Sequence, residues 1–110
     1  DALYVSSAGP TGAGVALGKA LLGWNCAARL ICPMHWPWHI PTRMAEDANA
    51  AAERLGLPHR LTPADIDADE SHVAPGYGHP SPGGREALKL LATTEAILLD
   101  HVYTAKALAA

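Results

Sequence analysis

The residues best suited to chemistry stand in three places, and the first is Ser7-Ala-Gly-Pro-Thr-Gly-Ala-Gly14. A glycine-rich turn that opens a helix aims several backbone N–H groups outward together. The helix dipole adds positive potential at the same point, so such a turn suits a phosphate. Thr11 contributes a hydroxyl. The glycine spacing, G-x-x-G-x-G, is not the dinucleotide fingerprint, and the lysine–Ser/Thr pair of a Walker loop is missing. Pro10 has no N–H and removes one potential donor.

The second place is Cys32-x-x-His35-x-x-x-His39. Its residue types and spacings suit zinc, yet a structural zinc site takes four ligands and a fourth is not evident. Tryptophan and proline interleave the histidines, which also fits a rigid aromatic loop carrying surface imidazoles. The third place is Tyr77, inside Pro-Gly-Tyr-Gly, together with Tyr103, inside Asp-His-Val-Tyr-Thr. Loops at strand ends are where parallel α/β sheets bind ligands. Each tyrosine taken separately reads equally as a half-buried packing residue with a bonded hydroxyl. His59, His72, His79 and His101 form no catalytic pairing that the sequence reveals.

These residues need elements to position them. Leu3-Tyr-Val-Ser6 is short, apolar and β-prone, which predicts a buried strand. Ser7 to Gly12 supplies turn chemistry, with glycines that permit positive φ and a proline at the corner. Gly14 to Gly23 is rich in alanine and leucine and predicts a helix. Ala27 to Cys32 predicts a second strand, and strand, helix, strand at this spacing is a βαβ unit of a parallel sheet. Pro33 to Pro41 holds three prolines in nine residues and predicts a loop. Thr42 is placed to cap a helix from Arg43 to Leu55 that Gly56 ends. Leu57 to Asp69 reads as a connector in which Thr62-Pro-Ala-Asp65 resembles a helix start. Ser71-His-Val73 predicts a short strand leading into the Gly- and Pro-rich loop Ala74–Gly84. Arg85 to Thr94 predicts an amphipathic helix with Ala87, Leu88, Leu91 and Ala92 on one face. Ile97-Leu-Leu99 predicts a third buried strand, and Ala105 to Ala110 a final helix. The sequence stops inside that helix without a cap, which gives the expectation of a truncation.

The totals fit this outline. The 110 residues are 49% hydrophobic and 17% charged, a globular composition of one domain, 1–110, in the α/β class. The formal charge of −3 and the scattered basic residues give no electrostatic reason to expect nucleic acid. No apolar run approaches the ~20 residues of a membrane span. Two cysteines are too few for a disulfide scaffold, so Cys26 and Cys32 are expected reduced and buried. The sequence begins at Asp1 with no basic-then-apolar leader, and a cytoplasmic location is expected by default.

Three segments together carry a resemblance. Tyr4-Val-Ser-Ser-Ala-Gly-Pro-Thr-Gly-Ala-Gly14 resembles the phosphate loop of D-cysteine desulfhydrases and 1-aminocyclopropane-1-carboxylate deaminases. Val73-Ala-Pro-Gly-Tyr-Gly-His-Pro80 resembles their Gly-Tyr-Gly-x-Pro loop. Glu86 to Ala107 is similar to their helix, strand and Asp-Pro-Val-Tyr-x-Gly-Lys signature. Order and separations match along almost the whole chain except Pro33 to Asp69. The resemblance implies pyridoxal phosphate on a tryptophan synthase β-like fold, a parallel three-layer (βα) sheet of which this chain would be part of the large domain. It implies that the backbone of Ser7, Ala8, Gly9 and Thr11 holds the cofactor phosphate. It further implies that Tyr103 lies against the cofactor ring, that Tyr77 faces a small amino-acid substrate, and that Thr104 stands beside the pyridine nitrogen. Deaminases of the family carry glutamate where Thr104 stands and desulfhydrases carry threonine, which favours D-cysteine.

The departures are specific. Pro10 stands where the family has glycine, serine or alanine; His101 replaces a proline, Thr93 an arginine and Ala105 a glycine. Lys19, Lys89 and Lys106 fall on predicted helices, and none matches the motif of the family's Schiff-base lysine, which pyridoxal chemistry requires. The resemblance therefore implies half a site: a fragment or truncated lyase or deaminase relative that binds cofactor weakly without turnover. The alternative is a non-catalytic α/β module derived from that family that persists as a dimer or binding partner, and a homodimer is expected.

Overall fold

The apolar runs at Leu3 and Leu30 become neighbouring strands. The computed structural model describes residues 1–110, in the order β1 (Ala2–Ser6), α1 (Pro10–Leu21), β2 (Ala27–Ile31), α2 (Ile40–Arg54), a 3₁₀ turn (Pro63–Asp65), β3 (Asp67–Asp69), α3 (Pro82–Glu95) and α4 (Thr104–Ala109). The three strands form one parallel sheet in the order β1-β2-β3, and four helices complete the α/β fold. Ala2 pairs with Ala27 and Ser6 with Ile31, while Arg29 pairs with Asp67 and Ile31 with Asp69. The ladder continues past the strands through Ser7 N–H to Ile31 O (3.0 Å) and Cys32 N–H to Asp69 O (2.8 Å). That continuation brings the turn after β1 and the loop after β2 out at the same edge of the sheet.

The core lies where α1 and α2 pack on each other and on the sheet. Ala13, Ala16 and Leu17 of α1 meet Ile40, Met44, Ala45, Ala48 and Ala52 of α2, with Leu30 and Cys32 beneath. Small residues on both helices let the axes approach closely, and Leu30, Ile40 and Met44 fill the remaining volume. Truncating a fully buried leucine such as Leu30 to alanine costs about 2–5 kcal/mol.

Several boundaries differ from the sequence expectation, each for a local reason. Helix α1 begins at Pro10, four residues before the expected Gly14, because proline at the first helical turn lacks only an N–H that has no intrahelical partner there. The glycine-rich segment is thus mostly first helical turn. Its glycines are not at positive φ, which is found instead at Gly23, Gly56, Gly76 and Gly78. Helix α2 begins at Ile40 rather than Arg43, with Pro41 in its first turn; Thr42 is inside the helix and its hydroxyl meets His39 Nδ1 at 2.8 Å. The expected strand Ser71–Val73 is a turn, and the strand lies earlier, at Asp67–Asp69, inside the expected connector. Ile97–Leu99 is not a strand: nothing pairs with it, and Ile97 and Leu98 are 51% and 83% exposed. Helix α3 starts at Pro82, capped by Ser81, whose Oγ accepts from Gly84 N–H at 3.0 Å. No helix is long and apolar enough to cross a membrane.

Candidate functional site

Three segments meet at the C-terminal edge of the sheet. The turn Ser6–Thr11, the residues Pro33, Met34 and Trp36 after β2, and the side chains Tyr77 and Tyr103 line a cleft of about 550 Å³. A larger cleft of about 780 Å³ lies at the other end of β2, between Ala27, Ala28 and the later half of α1. Ligands of parallel α/β sheets sit at the carboxyl ends of strands, so the smaller cleft is the candidate.

The Ser7 side chain organises the turn. It is buried, and its Oγ accepts from Gly12 N–H at 2.9 Å and from Gly9 N–H at 3.3 Å. The Ser7 amide is spent on Ile31 in the sheet. Gly12 is glycine because of a close approach: a Cβ there would stand 2.2 Å from Met44 Cε, 3.2 Å from Leu30 Cδ1 and 3.2 Å from Ser7 Oγ. After these bonds, the amides of Ala8 and Thr11 donate to no protein atom. Both residues line the cleft, at the start of a 12-residue helix with no acidic residue in its first turn. Two unspent N–H groups on a positive helix end suit a phosphate. Ser6 Oγ is buried without a hydrogen-bond partner, a third polar atom left over beside the same cleft.

Tyr77 and Tyr103 are brought together from positions 26 residues apart, hydroxyl to hydroxyl, with their rings edge to face at 6.0 Å between centroids. The bond to Tyr77 is the main reason the Tyr103 phenol titrates above its ordinary range. Tyr103 is set by the turn before α4, where Asp100 accepts from the amides of Val102 (2.8 Å), Tyr103 (2.7 Å) and Thr104 (2.9 Å). Partial desolvation pushes the Asp100 carboxyl up, but the Thr104 hydroxyl and these amides outweigh it and hold the group far below the usual carboxylate range. Thr104 Oγ1 donates to Asp100 Oδ2 at 2.5 Å and does not line the cleft.

The structure does not bring Cys32, His35 and His39 together. Cys32 is buried, with its thiol toward Leu30 O; His35 Nδ1 meets Glu70 Oε1 at 3.1 Å, and His39 faces Thr42. Burial, reinforced by Glu70 and Asp69, pushes the Cys32 thiol up to about 12. Both cysteines are free and buried.

Sequence reasoning missed three residues. Trp36 lines the cleft and stacks on Trp38 at 4.6 Å between centroids. Asp100 orders the Tyr103 turn, a role that Asp-x-x-x-Thr spacing at a helix start signals. Lys106, in an alanine-rich helix, is completely buried and donates to Val73 O at 2.9 Å and Gly76 O at 3.0 Å. It is the lysine that ends the Asp-Pro-Val-Tyr-x-Gly-Lys signature, so the sequence marks the position but not its burial.

No protein-family model matches the chain. D-cysteine desulfhydrases of Salmonella paratyphi B and Salmonella newport are 56% identical to it over 46 residues, which is 42% of this chain and 14% of each relative. The crystal structure of an ACC deaminase homologue superposes with a TM-score of 0.82 at 25% identity, covering 99% of this chain and 33% of the other. The chain therefore spans a third or less of the proteins it matches. In sequence over those 46 residues, and in fold over nearly its whole length, it is similar to the D-cysteine desulfhydrases and ACC deaminase homologues.

Proposed function

We propose that this chain carries the phosphate-binding part of a pyridoxal-phosphate site of the D-cysteine desulfhydrase and deaminase type. One observation carries the reading: Ala8 and Thr11, whose amides are unspent, line the same cleft as Tyr77 and Tyr103. When bound, the cofactor would supply an electron sink for breaking bonds at an amino-acid α-carbon. The Ala8 and Thr11 amides and the Thr11 hydroxyl would hold its phosphate, with Ser7 and Gly9 shaping the turn. Tyr103 would lie against its ring, and Tyr77, with its hydroxyl on Tyr103, would face a small amino acid such as D-cysteine. Thr104, expected beside the pyridine nitrogen, is bonded to Asp100 outside the cleft and would instead serve by fixing the turn that carries Tyr103. The reading takes the chain as cytoplasmic, consistent with two free, buried thiols.

None of Lys19, Lys89 and Lys106 stands in the family's lysine motif, and Lys106 is held by backbone carbonyls. The 110 residues alone therefore bind the cofactor through its phosphate without turning substrate over. Borohydride reduction with pyridoxal phosphate, followed by peptide mass spectrometry and a sulfide assay on D-cysteine, tests this. The expected result is no stoichiometric lysine adduct and no sulfide; a single site-specific adduct would show a substitute lysine and overturn it.

A second reading rests on a different observation. The exposed Ile97 and Leu98, with β1 as the end strand of the sheet, favour self-association as a homodimer or docking to a partner. Sedimentation separates the two: a monomer that binds the cofactor supports the first, and an obligate dimer indifferent to it supports the second.

A further inference from the structure

A lysine among alanines on a short terminal helix ordinarily extends into solvent, because an ammonium in the interior loses its hydration. Lys106 does the opposite. It is 0% exposed, and no carboxylate lies within ion-pair distance of it. Its compensation comes from backbone carbonyls: Nζ donates to Val73 O at 2.9 Å, to Gly76 O at 3.0 Å and, more loosely, to Pro33 O at 3.4 Å. An ammonium has three donors, and here each has an acceptor. A burial this costly persists only where the surroundings require it.

The three acceptors belong to the segments that build the cleft. Pro33 begins the loop that carries Met34 and Trp36 into the lining. Val73 and Gly76 bracket the approach to Tyr77, and the Gly76 carbonyl is the last backbone group before it. Lys106 itself stands one helical turn after Tyr103, on α4. A single nitrogen thus ties the Trp36 loop, the Tyr77 loop and the Tyr103 helix to one point. None of those loops has a sheet ladder to hold it.

We propose that Lys106 is a positioning residue of the cleft, its ammonium holding the Pro33 loop and the Val73–Gly76 loop against α4 so that Tyr77 and Tyr103 meet across the site. The functional part of this statement rests on the pyridoxal-phosphate reading; the structural part does not. Lys106 does not line the cleft and acts through the two tyrosines.

The test uses the 110-residue chain and two readouts. In the unaltered protein, the Nζ–Hζ signal of one lysine should persist in 15N NMR at neutral pH, with through-hydrogen-bond couplings to the Val73 and Gly76 carbonyl carbons, while Lys19 and Lys89 are averaged by solvent exchange. In Lys106→Met, which fills the same volume without donors, the nuclear Overhauser contacts between the Tyr77 and Tyr103 rings should vanish while those among Ile40, Met44 and Leu30 remain. Pyridoxal phosphate affinity should fall at least about tenfold, and Lys106→Arg should recover part of it. A lysine that only stabilises the fold would lower the melting temperature of Lys106→Met and leave the inter-ring contacts of the folded protein unchanged. That result, or three lysine signals that all exchange alike, overturns the proposal. If the ring contacts vanish but the unaltered chain ignores pyridoxal phosphate, the cofactor reading fails and the positioning role stands.

Discussion

Ser7 Oγ accepts the amide of Gly12 at 2.9 Å, and this bond closes the turn between β1 and α1. It decides which backbone groups face the cleft. With Gly12 and Gly9 turned toward the serine and the Ser7 amide held by β2, the amides of Ala8 and Thr11 are the ones left to bind.

The turn also depends on what is missing at Gly12. A methyl group there meets the buried Met44 Cε at 2.2 Å, and Leu30 and Ser7 block the other directions. Gly12→Ala should destabilise the fold by about 1–3 kcal/mol, as overpacking does. Shortening the opposing side chain in a Gly12→Ala/Met44→Ala double variant should recover part of the loss. Urea unfolding of the two single variants and the double measures the coupling, and strictly additive costs would contradict the contact.

Tyr103 titrates high first because its hydroxyl is bonded to Tyr77. Removing that partner in Tyr77→Phe should bring the Tyr103 phenol back toward its ordinary value of about 10. Ultraviolet absorbance during alkaline titration reads this, since the chain has three tyrosines and one of them should move.

Cys32 is raised to about 12 by burial and by Glu70 and Asp69. A thiol raised on folding contributes stability that is complete below its unfolded pKa of about 8.5 and is lost as pH climbs from there toward the folded value. The unfolding free energy should therefore decline above about pH 8.5, and less so in Cys32→Ala once its lower baseline is subtracted. Iodoacetamide should label Cys32 only as fast as the protein opens.

Asp100 and Asp69 work in the opposite sense. Desolvation opposes ionisation of Asp100, but the hydrogen bonds from Thr104, Tyr103 and Val102 prevail, and Ser71 holds Asp69 low. A depressed carboxylate contributes stability that is present above its unfolded pKa of about 3.9 and is lost as pH falls through the folded value. Acid unfolding should set in below about pH 4, and Asp100→Asn should remove part of that acid dependence while loosening the Tyr103 turn. A variant with an unchanged acid limb would contradict the assignment.

Much of this was legible in the residues. The strands at Leu3 and Leu30 follow from short apolar runs and the helix around Leu88 from its amphipathic pattern, whereas the segment Ser7–Gly12, read as a turn from its glycines, is helix from Pro10 onward. What escaped depends on partners distant in sequence. Asp67-Ala-Asp69 has no apolar run, and becomes a strand because β2 offers it a parallel edge and Ile66 is buried beside it. Ile97-Leu-Leu99 has the right composition for a strand but no neighbour among these 110 residues to pair with. Glycine spacing marked the turn, but only the fold shows that Ser7 consumes two of its amides. Lys106 closes the signature that carries the resemblance, but only the fold shows it as a buried cation, because the carbonyls that hold it come from loops 30 and 73 residues away.

The central claim is that the Ala8 and Thr11 amides hold a phosphate. Titrating the 15N-labelled chain with pyridoxal phosphate, and separately with pyridoxal, tests it most directly. The account predicts that pyridoxal phosphate shifts the Ala8 and Thr11 amide resonances along with the Tyr77 and Tyr103 rings, and that pyridoxal binds at least about tenfold more weakly. Equal binding of the two compounds, or shifts that spare Ala8 and Thr11, would contradict it.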